Sequence, residues 1–501
     1  MKLKLNYPRV ILVGFAFFLI SAFWQAYDAI VPLILTNHFG LLQSVSGTVM
    51  SLDNIIAVFM LPVFGAISDK VNTRYGKRTP FIVIGTVAAV VMFIILALID
   101  SAQVAPVIAG GIPEMYSEAA ELRDAANLLL KEGKRIGDEA MIALAQSRLE
   151  AADLIFEEVR VATFEITKAN IGKLVGFIGV LLMVLISMAT FRSPAVALMP
   201  DVTVKPLRSK GNAIINLMGT AGGIIVLVLG MVFATSKIYM EYTRYVVAIV
   251  AVMLTGLIIF ITTVREPKWA KEMAEDTARY GLEEPMPTDG KTEEKRKLSK
   301  PELTSLMLIL ASVALWYIGY NSITSKYSVY ATNILGFDYN LTLIIAQAAA
   351  VVAYIPVGII ASKIGRRKSI LAGIVMLASA FFAGNFISSG IHPAIMYPIF
   401  ILAGIGWATI NVNSFPMVVE LAKGGEVGKY TGYYYTASMA AQIVAPILSG
   451  ALYDLFGMRA MFFSFGTVFV VLSFLTMFFV KHGDAKAEAQ SALEALGGAD
   501  D

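Results

Sequence analysis

Cysteine is absent from this 501-residue chain. Disulfides, thiolate metal sites and thiol nucleophiles are therefore excluded, and the redox compartment cannot be read. Histidine is nearly as scarce: His38, His392 and His482 lie far apart and share no metal-ligand spacing. Charge is thin too. Only 15% of residues are Asp, Glu, Lys or Arg, and the net charge is +3, too small a surplus to indicate a nucleic-acid partner. No nucleophile–base spacing, phosphate loop or metal cluster stands out, so neither an enzyme nor a cofactor is expected. What fills the chain is apolar, with 57% hydrophobic residues and a mean hydropathy of +0.71. A soluble domain has far less.

A membrane span needs about 20 apolar residues. By that criterion helices are expected over 10–35, 45–67, 80–99, 171–199, 211–234 and 242–264, and again over 303–330, 341–362, 369–388, 393–421, 430–452 and 459–480. The fold class is thus an all-α membrane protein of twelve transmembrane helices. Its expected parts are a first six-helix half over 1–264, a linker over 265–300, a second half over 301–480 and a tail over 481–501. Lys and Arg crowd the alternate loops at 70–78, 205–210, 265–300, 363–368 and 423–429, whereas the opposite short loops hold little beyond Lys237 and Arg244. The positive-inside rule then puts both termini in the cytoplasm and the chain in the cell inner membrane. Lys2, Lys4 and Arg9 imitate a signal peptide, but further spans follow and no clear cleavage site appears, so the segment reads as an uncleaved first helix. Glu284–Pro285, Pro287 and Asp289–Gly290 make the linker read as a tether.

The most informative stretch is LPVFGAISDKVNTRYGKRTPFIVIG, residues 61–85. Two apolar runs are joined by a tight cationic turn holding Asp69, Lys70, Arg74, Lys77 and Arg78. The second half repeats its order as GIIASKIGRRKSILAG: Gly65 answers to Gly358, Gly76 to Gly365, and Lys77–Arg78 to Arg366–Arg367. A repeat across half the chain indicates two homologous halves, a common plan of secondary transporters. Both copies resemble the loop signature between helices 2 and 3, and 8 and 9, of the major facilitator superfamily. In that reading Asp69, Arg74, Lys77, Arg78, Arg366 and Arg367 are gates and latches between the halves.

One segment breaks the pattern. Residues 102–170 should be a short loop but are long, polar and helix-prone, with twelve acidic and seven basic residues. Gly133 and Gly137 are expected to divide them into two amphipathic helices on the outer side. Long loops are exempt from the positive-inside bias. A solvated hairpin capping the outer mouth is the plain reading, and a partner- or substrate-capturing module is the other. With no span depending on it, a Gly/Ser linker in place of 105–165 is expected to leave folding and some transport intact.

Polar groups inside spans are costly and are the default functional candidates. Trp24, Tyr27 and Asp28 share one face of the first helix, and Asp53 with Asn54 interrupts the second. Arg192 sits in the fourth, near Pro194. Asn212, Asn216 and Thr220 align on the fifth. In the second half the stripes are Tyr317, Asn321, Thr324 and Ser328 with Tyr320 adjacent; Gln347 with Tyr354; Trp407, Asn411 and Ser414 with Asn413 beside them; and Tyr435 with Gln442. Rings can stack on the apolar face of a sugar while amides and carboxylates bond its hydroxyls. Each of these amides can equally be helix glue. Tyr242 and Tyr245 read as interfacial anchors, and Asp201 and Glu420 as solvent-reached helix-end acids. Asp28, Asp53 and Arg192 fit a structural role least, because a lone buried charge costs several kcal/mol unless paired.

Several segments narrow the resemblance. SDKVNTRYGKRTPFI is similar to the SDR…GRRRPFI pattern of sucrose transporters and glycoside–pentoside–hexuronide symporters. FRSPAVALMPDV, RSKGNAIINLMGTAGG, WYIGYNSITSKYSVYATNILG, AGIGWATINVNSFPMVVELA and GKYTGYYYTASMAAQIVAPILSG extend the similarity to the bacterial SLC45-like and sucrose–H⁺ symporters. The resemblance implies a monomer that takes up a disaccharide or other glucoside with a cation, by alternating access. Plant sucrose symporters carry a carboxylate in the middle of helix 4, and residues 179–190 have none. Melibiose-type symporters pair acids on helix 2, where this chain has only Asp53. A proton rather than Na⁺ is therefore the expected coupling ion, carried by Asp53 or Asp28 with Arg192 as counter-charge. Substrate contacts are expected from Trp24, Tyr27, Asp28, Asn54, Asn216, Tyr317, Tyr320, Asn321, Gln347, Trp407, Asn411, Asn413 and Gln442. The rivals are a proton-coupled exporter of a metabolite or drug and a non-transporting sensor or assembly protein.

Overall fold

The computed structural model describes residues 5–280, 299–389, 391–421 and 427–482. The tether motifs at 284–290, part of the basic loop over 423–429 and nearly all of the tail over 481–501 lie outside them. The described residues form helices α1 (Tyr7–Leu33), α2 (Gln43–Lys70), α3 (Thr79–Ala109), α4 (Ile112–Ile136), α5 (Glu139–Ala169), α6 (Ile171–Val202), α7 (Arg208–Val232), α8 (Thr243–Thr263) and α9 (Glu266–Arg279). The second half continues with α10 (Lys300–Thr324), α11 (Tyr327–Val329), α12 (Tyr339–Ile364), α13 (Arg366–Gly384), α14 (Met396–Val419), α15 (Val427–Phe456) and α16 (Met458–Phe478). Twelve are long and apolar enough to cross a membrane. Helices satisfy their own backbone groups, which is why so apolar a chain takes this form.

The repeat read from the loops extends to the packing. In the first half α1 packs on α7 and α8, and α6 on α2 and α3, while α3 touches α8. In the second half α10 packs on α15 and α16, α14 on α12 and α13, and α13 on α16. Even the helix ends repeat: α1 runs into a π turn at Ile34–His38, and α10, after a break at Ser325 and Lys326, leads through α11 into another at Tyr330–Leu335. The expected unbroken helix over 303–330 is corrected by this break.

The halves meet through α2 on α15 and α7 on α12. Near the α4–α5 end of the molecule, a Cβ on Gly47 would lie 2.0 Å from the Pro446 carbonyl oxygen, and one on Gly450 2.4 Å from that of Gln43. Only glycine permits this approach. Asp454 of α15 caps α2 from the other half, its carboxylate accepting from the Gln43 and Ser44 amides at 2.8 Å each. Buried Lys326 donates to Ser46 Oγ at 2.6 Å. Asn37 and Asn333 exchange amide bonds of 3.1 and 2.7 Å, while Tyr339 and Asn340 both donate to Thr235. Toward the opposite, basic end, α2 buries only Ser68 beyond Ala57, so the halves part there.

Four expectations change. First, α3 runs on to Ala109, so the insertion starts later than expected. Its two helices divide at Gly137 alone, in the left-handed conformation (φ 74°), while Gly133 stays inside α4. Second, the insertion is not a separate cap. It shares an apolar cluster of Val104, Val107, Ile112, Val159 and Tyr239 with the first half. Tyr116 and Arg123 donate to the Asn333 carbonyl of the second half, and Asn127 joins Ser389 (2.6 Å) and Arg459 (2.7 Å). Replacing 105–165 would cut into α3 and remove these bonds, so intact folding is no longer the expected result. Third, Tyr242 and Tyr245 are buried packing groups, not interfacial anchors; their hydroxyls donate to the Thr235 and Val226 carbonyls. Fourth, the start of the tether is the ordered helix α9. Its Glu272 pairs with Arg9, whose guanidinium also lies 5.2 Å from the Trp269 ring centre.

The insertion thus straps the two halves at one end. Spin labels at exposed Leu42 and Leu455, introduced as Leu42→Cys and Leu455→Cys in this cysteine-free chain, should report a short distance. Arg123→Ala with Asn127→Ala should raise the long-distance population about tenfold, the worth of one or two buried hydrogen bonds. An unchanged distance distribution would show that the hairpin does not hold this end shut.

Candidate functional site between the halves

Midway along the bundle a cavity of about 190 Å³ is lined by Trp24, Asp28, Met50, Asp53, Asn54, Arg192, Asn321, Thr324, Ser325, Gln442 and Pro446. These residues come from α1, α2 and α6 of one half, and from α10, α15 and the break after α10 of the other. Seven of the expected site residues therefore gather in one place: Trp24, Asp28, Asp53, Asn54, Arg192, Asn321 and Gln442. The lining is polar apart from Met50, Pro446 and the indole.

Local sequence explains the aim of each group. Asp53 and Asn54 share one turn of α2, and Asp53 Oδ1 accepts from the Asn54 backbone (2.5 Å) and side-chain (2.8 Å) nitrogens. Trp24 stands edge-on to Phe23 and Tyr27, with centroids 5.3 and 5.4 Å away, and its Nε1 is buried without a partner. It offers a donor to whatever enters. Asn321 donates to the Tyr317 carbonyl at 2.8 Å. Gln442 reaches the Ser438 carbonyl only at 3.4 Å.

Arg192, the expected counter-charge of Asp53, shares its cavity without touching it. No ion pair joins them; the guanidinium lies over Trp24, 5.7 Å from the ring centre, while Asn54 takes the Asp53 oxygen. Both charges still face the same cavity as Asp28. Two carboxylates therefore stand against one guanidinium.

The remaining expected residues lie around or away from this cavity. Tyr320 and Trp407 stack at 3.6 Å and 4°, with Tyr317 edge-on to Trp407; Tyr317 sits one turn below Asn321. Gln347 donates to Gln25 at 2.6 Å, a bridge between halves, and Gln25 is a residue the sequence reading missed. Tyr27 is buried behind Trp24, stacked on Phe23. Asn413 is buried, bonds the Thr409 carbonyl of its own helix at 2.8 Å and is not among the cavity residues. Asn216 is buried with both amide atoms unpartnered, but it and Asn411 are not among the cavity residues. Thr324, seen in sequence as part of a stripe, does reach the cavity; Ser325, Met50 and Pro446 had no polar pattern to reveal them.

In this conformation the basic loops do a different job from the one expected. Arg78 bonds Ser68 Oγ (2.5 Å), Asp69 (2.5 Å) and Asp201 (2.8 Å). Glu266, at the start of α9, accepts from the Lys77, Arg78 and Thr79 amides and so caps α3. Gly76 must be glycine: its φ is +112°, and a Cβ would lie 2.2 Å from the Glu266 carboxyl carbon. In the second half Arg366 bonds Glu420 at the end of α14 (2.8 Å), as Arg78 bonds Asp201 at the end of α6. Arg367 donates to the Phe478 carbonyl, and Arg74 merely stacks on its neighbour Tyr75. Each of these partners lies within the same half as its arginine. In this conformation these bonds tie helix ends together inside each half and do not join the halves.

The family described as Major Facilitator Superfamily matches residues 166–413 and 339–498, most of the chain. The chain belongs to the major facilitator superfamily. A second family, described as MFS/sugar transport protein, matches 12–112 of this facilitator. Among curated relatives, the "MFS-type transporter ppzB" of Metarhizium majus (strain ARSEF 297) is 30% identical over 114 residues, 23% of this chain and 24% of that protein. Its counterpart in Metarhizium rileyi (strain RCEF 4871) is 30% identical over 116 residues, 23% of each chain. The match spans about a quarter of the length of these relatives. Among solved structures, the xylose transporter XylE from E. coli in an inward open conformation superposes with a TM-score of 0.59 at 14% identity, covering 98% of this chain and 99% of that one. The nucleoside transporter NupG gives 0.51 at 13%, covering 94% and 99%. At such identities the likeness concerns the fold.

Because Arg78 is buried and holds two helix ends, Arg78→Ala should cost this facilitator about 1–3 kcal/mol, the worth of its bond to buried Ser68 and of charge-assisted bonds to Asp69 and Asp201, whose carboxylates stay within reach of water. Arg74→Ala, which removes an exposed local stack, should cost less than about 0.5 kcal/mol. Thermal unfolding of the purified protein in detergent would rank the two, and equal costs would contradict this network.

Proposed function

We propose that this facilitator is a proton-coupled symporter of a small polyhydroxylated solute, a sugar, working by alternating access in the cytoplasmic membrane with both termini inside. The carrying observation is the cavity itself: two carboxylates, one guanidinium, amides, hydroxyls and an indole edge converge from both halves at mid-depth. That donor and acceptor set suits hydroxyls presented around a ring. The match to the sugar-transport family supports the reading, since residues 12–112 include Trp24, Asp28, Asp53 and Asn54. Kinship with the sucrose–H⁺ and SLC45-like group is the finer part of the same proposal.

Orienting the basic loops inward puts the strapped end outside, so the conformation is closed to the outside. The volume, about 190 Å³, lies below the roughly 300 Å³ at which pockets for drug-sized ligands begin. A single sugar ring suits this conformation, and a disaccharide requires the cavity to widen. An exporter of apolar cargo is the less favoured direction, because Met50 and Pro446 are the only aliphatic contributors to the lining.

Coupling follows from charge balance. Two carboxylates and one guanidinium leave one negative charge unmatched in a span, which is costly. Taking up one proton from outside neutralises it and permits the halves to rock around the site. Asp53, held by Asn54, is the assigned carrier, and Asp28 the ligand contact.

Asp53→Asn imitates the protonated acid with nearly the same shape. In proteoliposomes it should still bind and exchange sugar but not accumulate it against a gradient or acidify the lumen. Asp28→Asn should weaken binding instead, and Gln442→Ala or Asn321→Ala should weaken it about tenfold, the worth of one hydrogen bond or two. Asn413→Ala should leave binding unchanged. Normal accumulation by Asp53→Asn alongside lost coupling in Asp28→Asn would reverse the two roles; accumulation by both would sink the coupling scheme.

A further inference from the structure

A second cavity, larger than the central one, lies in the second half. An apolar groove of about 620 Å³ runs between α12 and α13, floored by Ile401, Ile405 and Thr409 of α14. It exists because α12 and α13 both pack closely on α14 but only lightly on each other. Small side chains keep it open: Ala348, Ala349, Ala353 and Pro356 on α12, and Ala372 on α13. Its α12 wall from Ile345 to Ile364 measures about 28 Å at 1.5 Å per residue, close to the roughly 30 Å of a bilayer core. Val352, within that wall, is 73% exposed. The groove is therefore long, shallow and open to the side of the bundle.

Its basic end is different in chemistry. Lys363 stands one turn beyond Ile360, and Lys368 one turn before Ala372, so both lie in line with lining residues of their own helices. Both are exposed, and neither makes a hydrogen bond or ion pair among the described residues. Their neighbours are committed elsewhere: Arg366 to Glu420 and Arg367 to the Phe478 carbonyl. An apolar slot thus has, beyond its basic end, two exposed lysines without a partner among the described residues.

We propose that this groove is a binding site for one anionic phospholipid, an acyl chain lying between α12 and α13 and the headgroup phosphate held by Lys363 and Lys368. Basic sites between spanning helices on the cytoplasmic side favour such headgroups, with each lysine adding to the attraction. Because α12 also carries Gln347, the bridge to Gln25 across the halves, an occupant there bears on a helix of the interface. The proposal rests on the spanning helices and the groove, not on the identity of the transported solute.

Native mass spectrometry of the purified full chain, titrated with phosphatidylglycerol or phosphatidylcholine, tests it. Wild type should hold phosphatidylglycerol at about tenfold lower lipid concentration than phosphatidylcholine. Lys363→Gln with Lys368→Gln should abolish that preference and leave phosphatidylcholine binding as it was. Ala372→Phe, at an exposed position where a ring fills the slot, should weaken both lipids with an unchanged melting temperature; Ala348→Phe replaces it if the melting temperature falls. Equal binding of the two lipids by wild type, a preference that survives the double lysine variant, or indifference of both lipids to the filled slot would each overturn the assignment.

Discussion

The close approach of α2 and α15 at Gly47 and Gly450 is the constraint from which the rest of this geometry follows. Backbones that touch there bring the N-terminus of α2 within reach of the Asp454 carboxylate and Ser46 within reach of Lys326. With that end sealed and α2 exposed along its basic half, the space left between the halves closes at one end only. The polar side chains at mid-depth then face one another instead of lipid. A larger residue at either glycine would separate the helices, unseat both polar bonds and leave Lys326 buried without its partner, a far greater loss than the packing alone.

Much of this was legible in the sequence. Twelve apolar runs, the loop repeat and the charge asymmetry fixed the span count and the two-half plan, because span length and loop charge are imposed by the bilayer itself. Seven residues of the cavity were also visible, since a carboxylate, an amide or an arginine inside an apolar run is too costly to keep there without a use. Contacts that depend on three-dimensional register were hidden. Asn54, next in sequence, is the group that bonds the Asp53 oxygen, and Arg192 lies over Trp24 in the same cavity. Asn413, one face over from the stripe of Trp407, Asn411 and Ser414, bonds its own helix and lies outside the cavity. Glu266 sat in what read as a tether, and nothing in its surroundings marks it as the cap of α3. Gln25 lacked any pattern, because its partner Gln347 lies in the other half.

The insertion shows the same limit from another side. Its composition is that of a solvated amphipathic hairpin, and composition carries no record of what a helix docks against. Arg123 and Asn127 are the informative positions: a buried arginine and a buried asparagine on a surface helix need partners. They find them on Asn333, Ser389 and Arg459 of the opposite half. A loop grown from one half has become a tie between both.

That tie bears directly on the alternating cycle proposed for this chain. Two conformations interconvert usefully only if their free energies differ by a few kcal/mol. The capped helix end, the buried lysine, the paired asparagines and the strap all favour closure at one end, and several buried polar bonds at roughly 1 kcal/mol each would lock it. In that proposed cycle, interactions at the basic end have to offset them. The side chains available there are those the present conformation leaves exposed: Asp69, 63% accessible despite its bond to Arg78, and Lys77, whose amide but not its ammonium is engaged by Glu266. Arg74 holds nothing but the adjacent tyrosine. Under the proposed cycle, residues whose bonds are now confined to one half, or not made at all, are the candidates to reach across it in the other conformation. The basic loops thus serve this conformation as helix-end ties, and the proposed cycle assigns to their exposed charges the stabilising of the other.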